Sequence, residues 1–118
     1  MSFRIAEKQA LKSVHAKHKV GAVIVRGSRI ISTGFNELRP SALIHRPTLH
    51  AEASAILKLL KESRLHDLSG SDIYVTRFTK GGHTGLSKPC KGCMELIRSV
   101  GIKRVYFTTD NSTEMIEA

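Results

Sequence analysis

The chain has 118 residues, of which 41% are hydrophobic and 25% are charged. These values are typical of a soluble globular protein, and we expect a single domain over residues 1–118. Trp is absent and aromatic residues make up only 5%, which disfavours a nucleic-acid binder built on rows of stacking aromatics. The formal net charge of +9 is compatible with a basic soluble surface or with a polyanionic partner, either a nucleic acid or a phosphorylated substrate.

The N-terminal third predicts a helix and a β-hairpin. Apolar residues recur at helical spacing, which predicts a helix over about Ser2–Ala16. The continuous apolar run Val20–Val25 predicts a central strand covered on both faces, and Ile30–Phe35 predicts a second strand. The turn-like residues 26–29 between them predict antiparallel pairing.

Helices and strands alternate in the rest of the chain. A loop with two prolines, Asn36–Thr48, precedes a predicted helix over Leu49–Leu60. A third strand is predicted over Ile73–Phe78, a helix over Pro89–Val100 and a fourth strand over Arg104–Thr108. Each of these elements is short, as in a compact α/β protein.

The last residues, Asn111–Ala118, predict a short tail with one helical turn. The resulting order, α-β-β-α-β-α-β, implies crossover connections and a sheet with helices on its faces. Since the first two strands pair antiparallel, we expect an α/β fold with a mixed sheet of about four to five strands.

Two cysteines, Cys90 and Cys93, lie in one short motif, so a disulfide framework is excluded. The N-terminus lacks an apolar signal region, and no apolar stretch approaches the roughly 20 residues of a membrane span. We therefore expect a cytoplasmic protein without membrane contact.

The triplet His50-Ala51-Glu52 is the first candidate for chemistry. Thr48 is a plausible N-cap, and in a first helical turn His50 and Glu52 both reach a site beyond the helix end. The alternative is a capping-region His and a first-turn Glu that favours the helix dipole.

The second candidate is Pro89-Cys90-Lys91-Gly92-Cys93. Proline suits a first helical turn, and the positive helix end favours thiolates, the form that binds zinc. One alternative is a thioredoxin-like redox pair; another is a structural zinc site, which needs a fourth protein ligand.

Together the two motifs supply three zinc ligands, His50, Cys90 and Cys93, and leave the fourth tetrahedral position to water, as in catalytic sites. Zinc lowers the pKa of such a water to about 7, so that hydroxide forms near neutrality and can attack a ring carbon. Glu52, a carboxylate outside the ligand set, would shuttle the protons. The pattern H-x-E followed by P-C-x-x-C is the signature of zinc nucleobase deaminases.

Nearly the whole chain resembles the deoxycytidylate deaminase branch of the cytidine/deoxycytidylate deaminase superfamily. The similar stretches, besides the two motifs, are Val20–Val25, Arg29–Asn36 and Gly101–Tyr106. The resemblance implies a three-layer α/β/α sandwich, a zinc cofactor and a contact between Asn36 and the substrate sugar. The alternative for Asn36 is a simple turn residue.

This sequence departs from the family pattern in two places. The segment 78–87, rich in glycine, lies between the third strand and the Pro-Cys motif, where many relatives connect them almost directly. We expect it to form a hairpin or flap beside the pocket. The chain also stops soon after the fourth strand, where relatives usually continue with another helix and strand that help select the substrate.

Three functions remain open. The first is hydrolytic deamination of a free cytosine nucleotide such as dCMP or CMP. The second is deamination of cytosine or adenine in single-stranded DNA or tRNA, and the third is a non-catalytic zinc module that binds nucleic acid. We expect a homo-oligomer. The residues predicted to contact substrate are Asn36, Ala51, Arg39, Arg46 and Lys88, with Lys80 a further phosphate candidate.

Overall fold

The computed structural model describes residues 2–12, 19–38, 48–62, 68–79, 84–110 and 112–118. The predicted contacts Arg39 and Arg46, like Lys80, lie outside these residues. In chain order the elements are α1 (Ser2–Ala10), β1 (Lys19–Arg26), β2 (Arg29–Phe35), β3 (Glu37–Leu38), β4 (Thr48–Leu49), α2 (Ala51–Glu62), β5 (Ser71–Phe78), β6 (Thr84–Gly85), α3 (Lys91–Ser99), β7 (Arg104–Thr108) and β8 (Thr113–Glu117).

The main sheet is mixed, as predicted. Its strands follow the order β2-β1-β5-β7-β8, and the short β6 pairs with the end of β5. β1 pairs antiparallel with both β2 and β5. β5 and β7 run parallel, which requires the crossover through α3.

Helices cover both faces of this sheet. α1 packs on β1 and β5, where Ala6, Val23 and Val25 form a small buried cluster. The larger core lies on the other face, beneath α2 and α3, which confirms the three-layer arrangement. Alternate residues of each strand point to opposite faces, so residue parity decides which layer a side chain enters. The larger core includes Ile24, Ile73, Val75, Val105 and Phe107 from the strands and Ala55, Ile56, Met94 and Ile97 from the helices.

A glycine in β2 allows the start of α2 to approach the sheet closely. A Cβ at Gly34 would lie 2.6 Å from the Ala51 carbonyl oxygen and 2.6 Å from the Ala55 backbone nitrogen. Any side chain here would push the first turn of α2 away from the strand. Gly34 therefore sets the depth at which the residues around His50 sit.

The C-terminal prediction was wrong. The residues from Thr113 to Glu117 form a strand, not a helical turn, and pair antiparallel with β7. Ile116 lies opposite Val105 and packs against the larger core. A segment of five residues with one core-facing side chain has too little periodicity to be recognised from sequence; the exposed edge of β7 determines its conformation.

The end of α1 and the start of α2 also differ from their predicted positions. α1 ends at Ala10, followed by a turn at Leu11 and Lys12. α2 begins at Ala51, so Thr48 is not its N-cap but part of β4, which pairs with β3. Local side-chain preferences predicted that this helix would begin at Leu49, whereas backbone pairing with β3 holds Thr48 and Leu49 in a strand.

No helix in the described part of the chain is long and apolar enough to cross a membrane.

Candidate active site

The starts of α2 and α3 lie close together and carry the two sequence motifs. His50 stands directly before α2, and its carbonyl oxygen accepts the first helical hydrogen bond from the Ser54 N–H at 2.9 Å. Cys90 is the N-cap of α3, and its carbonyl accepts the Met94 N–H at 2.8 Å. The positive ends of two helices thus face one site, an arrangement that favours negatively charged groups there.

Three potential metal donors converge between these helix ends. The His50 Nδ1 atom lies 3.3 Å from the Cys93 Sγ atom and 3.7 Å from the Cys90 Sγ atom. All three donor atoms lie within 4.8 Å of one another. Zinc–sulfur and zinc–nitrogen bond lengths in a tetrahedral site place ligand atoms about 3.5 to 3.8 Å apart. The donor set and its spacing therefore fit one zinc ion.

The buried Cys93 thiol also fits a metal ligand. Burial raises the pKa of Cys93 far above its ordinary value, and the neighbouring Glu52 and Cys90 raise it further. A thiol in these surroundings keeps its proton at neutral pH unless a cation lies beside it. A bound divalent cation supplies that compensation and stabilises the thiolate.

Glu52 lies in the first turn of α2, and its side chain is buried. Burial raises the pKa of its carboxyl, while hydrogen bonds with its own backbone N–H and with Cys93 pull the pKa back down. A raised carboxyl pKa brings the group nearer to the pH range in which it exchanges protons. A buried acid beside three metal donors is suited to proton transfer and is not a solvent-exposed surface carboxylate.

A cavity of about 310 Å³ opens at the metal donors. It contains six of the residues predicted for the site, whereas Cys93 lies beneath its surface. Ala51 contributes from the buried first position of α2, and Lys88 from an exposed position before α3. The lining consists of Val20, Asn36, His50, Ala51, Glu52, Arg77, Leu86, Ser87, Lys88 and Cys90.

Asn36 is held firmly at the cavity. Its side-chain Oδ1 atom accepts the Val20 N–H at 2.9 Å, and its own N–H donates to the Val20 carbonyl at 3.1 Å. Asn36 is buried, so its amide orientation is fixed by the end of β1. With the oxygen engaged by a backbone donor, the amide nitrogen is the group suited to donate to a ligand.

The segment Thr84–Lys88 forms a wall of the cavity. β6 pairs antiparallel with the end of β5 through Thr84 and Gly85, as the predicted hairpin requires. The buried Ser87 Oγ atom donates to the Val75 carbonyl at 2.8 Å and accepts the Thr108 N–H at 2.7 Å. These bonds fix the chain immediately before the Pro-Cys motif to two strands.

Sequence reasoning missed Arg77, the last-but-one residue of β5 and a second cationic residue in the cavity. It also missed the anchoring role of Ser87. Neither residue belongs to a sequence motif. The signal that places them is the strand register, which long-range pairing determines.

Comparison with known proteins identifies relatives of this chain. Residues 1–109 match the model of a family described as the cytidine and deoxycytidylate deaminase zinc-binding region. An uncharacterised deaminase of Aliivibrio fischeri is 34% identical in an alignment of 114 positions that covers 88% of this chain and 67% of that protein. ComE operon protein 2 of Bacillus subtilis is 33% identical over 88% of this chain, but the match spans only 55% of its own length. The deoxycytidylate deaminase of Mycobacterium phage D29 is 29% identical, with 91% of each chain covered.

Solved structures show the same fold. The dCMP deaminase of cyanophage S-TIM5 superposes with a TM-score of 0.67 at 28% identity, covering 92% of this chain and 79% of the other. That protein has also been crystallised in complex with dCMP and dUMP.

Proposed function

The chain belongs to the cytidine and deoxycytidylate deaminase family, and from this premise we propose that it hydrolyses the amino group of a free cytosine nucleotide, of the dCMP or CMP type. Family membership confirms the predicted reaction class, a deaminase, and zinc as the predicted cofactor. The observation that carries the proposal is the buried Glu52, which lines the cavity with the metal donors His50 and Cys90 and lies beside the third donor, Cys93.

His50, Cys90 and Cys93 would hold the zinc. When bound, the metal supplies a water of lowered pKa and a Lewis acid at the inner part of the cavity. The two helix N-termini favour the cysteine thiolates electrostatically. With three protein donors, a four-coordinate zinc would have one position left for water, as in catalytic sites.

Glu52 would move the protons. A carboxylate oxygen of Glu52 would take the two protons of the attacking water in turn, passing one to the ring nitrogen and the other to the departing amine. In the overall reaction a carbon–oxygen bond forms, the carbon–nitrogen bond breaks and ammonia leaves. Burial supports this role because it keeps the carboxyl pKa raised.

Asn36 and Ala51 would hold the nucleoside part of the substrate. Both line the cavity, and the Asn36 amide is fixed in orientation by Val20. The cavity volume of about 310 Å³ lies at the lower end of the range for small-molecule pockets.

A relative with 91% coverage of both chains is named a deoxycytidylate deaminase, which supports a free nucleotide as substrate. Lys88 is a proposed phosphate contact, and Arg39 and Arg46 stay predictions.

A substrate panel tests the proposal. The zinc-loaded protein is incubated with dCMP, CMP, deoxycytidine, AMP, a cytosine-containing single-stranded DNA and tRNA, and both ammonia and the converted base are measured. We expect turnover of dCMP or CMP and none of the polymers. Turnover of single strands without turnover of free nucleotides would replace this proposal with a polynucleotide deaminase. The Glu52→Gln variant controls for contaminating activity.

A further inference from the structure

We propose that Arg77 reads the 5′-phosphate and thereby makes the enzyme select nucleotides over nucleosides. Arg77 belongs to β5 and lies outside both zinc motifs. The inference rests on the proposed function, because it assigns a specificity-determining residue for that reaction.

The strand register places Arg77 in the cavity. Arg77 lies directly opposite Val20 in the β1–β5 pair, and directly opposite residues project to the same face of a sheet. Val20 packs against the core beneath α2 and α3, so Arg77 points to that face as well. Both residues line the cavity.

The same register places Arg77 beside the proposed sugar contact. Val20 is hydrogen-bonded to Asn36 on one side and paired with Arg77 on the other. Asn36 and Arg77 therefore lie two strand spacings apart, about 10 Å between backbones. This separation suits a ligand whose sugar meets Asn36 and whose phosphate extends across β1 toward Arg77 at β5.

The wall Thr84–Lys88 orients the Arg77 side chain. A Cβ placed on Gly85 would lie 3.5 Å from the Arg77 Cδ atom and 3.6 Å from the Nε atom, so the side chain runs over the β6 backbone. The Nη1 atom donates to the Leu86 carbonyl at 3.4 Å. An arginine braced in this way loses less conformational entropy when it binds an anion.

The chemistry of this group suits a phosphate. A guanidinium carries five N–H donors in a planar fork that matches two phosphate oxygens at once. Among the described residues of the lining, Lys88 is the other cation and Glu52 the one carboxylate. Glu52 lies with the metal donors, so a nucleotide could place its base there and its phosphate toward the cations.

The test compares two substrates that differ only in the phosphate. kcat/KM is measured for dCMP and for deoxycytidine with the parent protein, with Arg77→Gln and with Arg98→Gln, which removes the same charge from an exposed position on α3. The ratio of the two kcat/KM values reports phosphate recognition. Inhibition constants for dUMP and deoxyuridine give the same comparison from binding alone.

We expect Arg77→Gln to lower the dCMP-to-deoxycytidine ratio by about 10- to 100-fold, as loss of hydrogen bonds to a charged group does. The change should appear mainly in KM, and Arg98→Gln should keep the parent ratio. An Arg77→Lys variant, which keeps the charge but loses the fork, should fall between the two.

Other results overturn the assignment. Equal losses on both substrates in Arg77→Gln would show a structural role, and an unchanged ratio, or a parent that does not prefer dCMP, would show that Arg77 does not read the phosphate. A parent without turnover of dCMP, CMP or deoxycytidine would instead refute the proposed function, and the assignment would fall with it.

Discussion

The metal-donor end of the cavity and the wall beside β5 are built from different elements of the fold. The donors His50, Cys90 and Cys93, with Glu52, come from the first residues of two helices. The wall, Thr84–Lys88, lies beside Arg77 of β5 and is held in place by strand pairing and by hydrogen bonds of Ser87 to β5 and β7. Under the proposed function, the helix starts would carry the reaction, whereas Arg77 and the wall beside it would determine which substrate is accepted.

The largest expected effect tests the helix-start side of this comparison. Glu52→Gln keeps the shape of the side chain but removes its proton transfer, so kcat for dCMP should fall by about 10²–10⁴-fold, with zinc content unchanged. Glu95→Gln, at an exposed position on α3, is the matched control and should keep parent activity. A kcat for Glu52→Gln within a few-fold of the parent, when chemistry limits the rate, would remove Glu52 from the mechanism.

Asn36 lines the same cavity as the metal donors and Arg77. An Asn36 variant tests whether this residue contributes to substrate binding. Asn36→Asp keeps an oxygen to accept the Val20 N–H but removes the amide donors. KM for dCMP should therefore rise by about 10- to 100-fold, with little change in the unfolding temperature. If KM stays at the parent value, Asn36 is a structural residue at the end of β1 and does not contact the substrate.

Ser87 tests the anchoring of the wall. Ser87→Ala leaves the buried Thr108 N–H without its 2.7 Å acceptor, so the free energy of unfolding should fall by about 1–3 kcal/mol in denaturant titrations. Ser99→Ala, which removes an exposed hydroxyl, should cost much less. Equal losses in the two variants would mean that the wall is not held through Ser87.

The smallest effect is expected at Lys88. Its side chain is exposed, and exposed charge interactions contribute about 0.2–1 kcal/mol, so Lys88→Ala should raise KM for dCMP by less than about fivefold. Lys91→Ala, exposed and outside the cavity lining, is the control. A loss at Lys88 as large as that of Arg77→Gln would move phosphate recognition from the β5 strand to the loop before α3.

The same division explains what the sequence could predict. His50, Glu52, Cys90 and Cys93 could be predicted as candidate site residues because their motifs span only three and five residues and zinc chemistry restricts which residues can occupy them. The mixed sheet followed from the apolar run in β1 and the alternation of helices and strands.

The parts that could not be predicted depend on contacts between distant residues. Arg77 enters the cavity because it pairs with Val20, 57 positions earlier in the chain, and Ser87 is buried because it bonds to Thr108. β8 is a strand because β7 offers it an edge. The local pattern of apolar and polar residues does not predict these long-range pairings.

Zinc reconstitution tests the central claim, that one three-ligand zinc site performs the deamination of a free cytosine nucleotide. The protein is stripped with a chelator, zinc is added back in measured fractions, and conversion of dCMP to dUMP is followed together with ammonia release. We expect turnover to rise in proportion to bound zinc and to level off at about one zinc per chain, and Cys90→Ala to show neither uptake nor turnover. Full turnover in the zinc-free protein, or restored zinc without conversion of dCMP or CMP, would contradict the account.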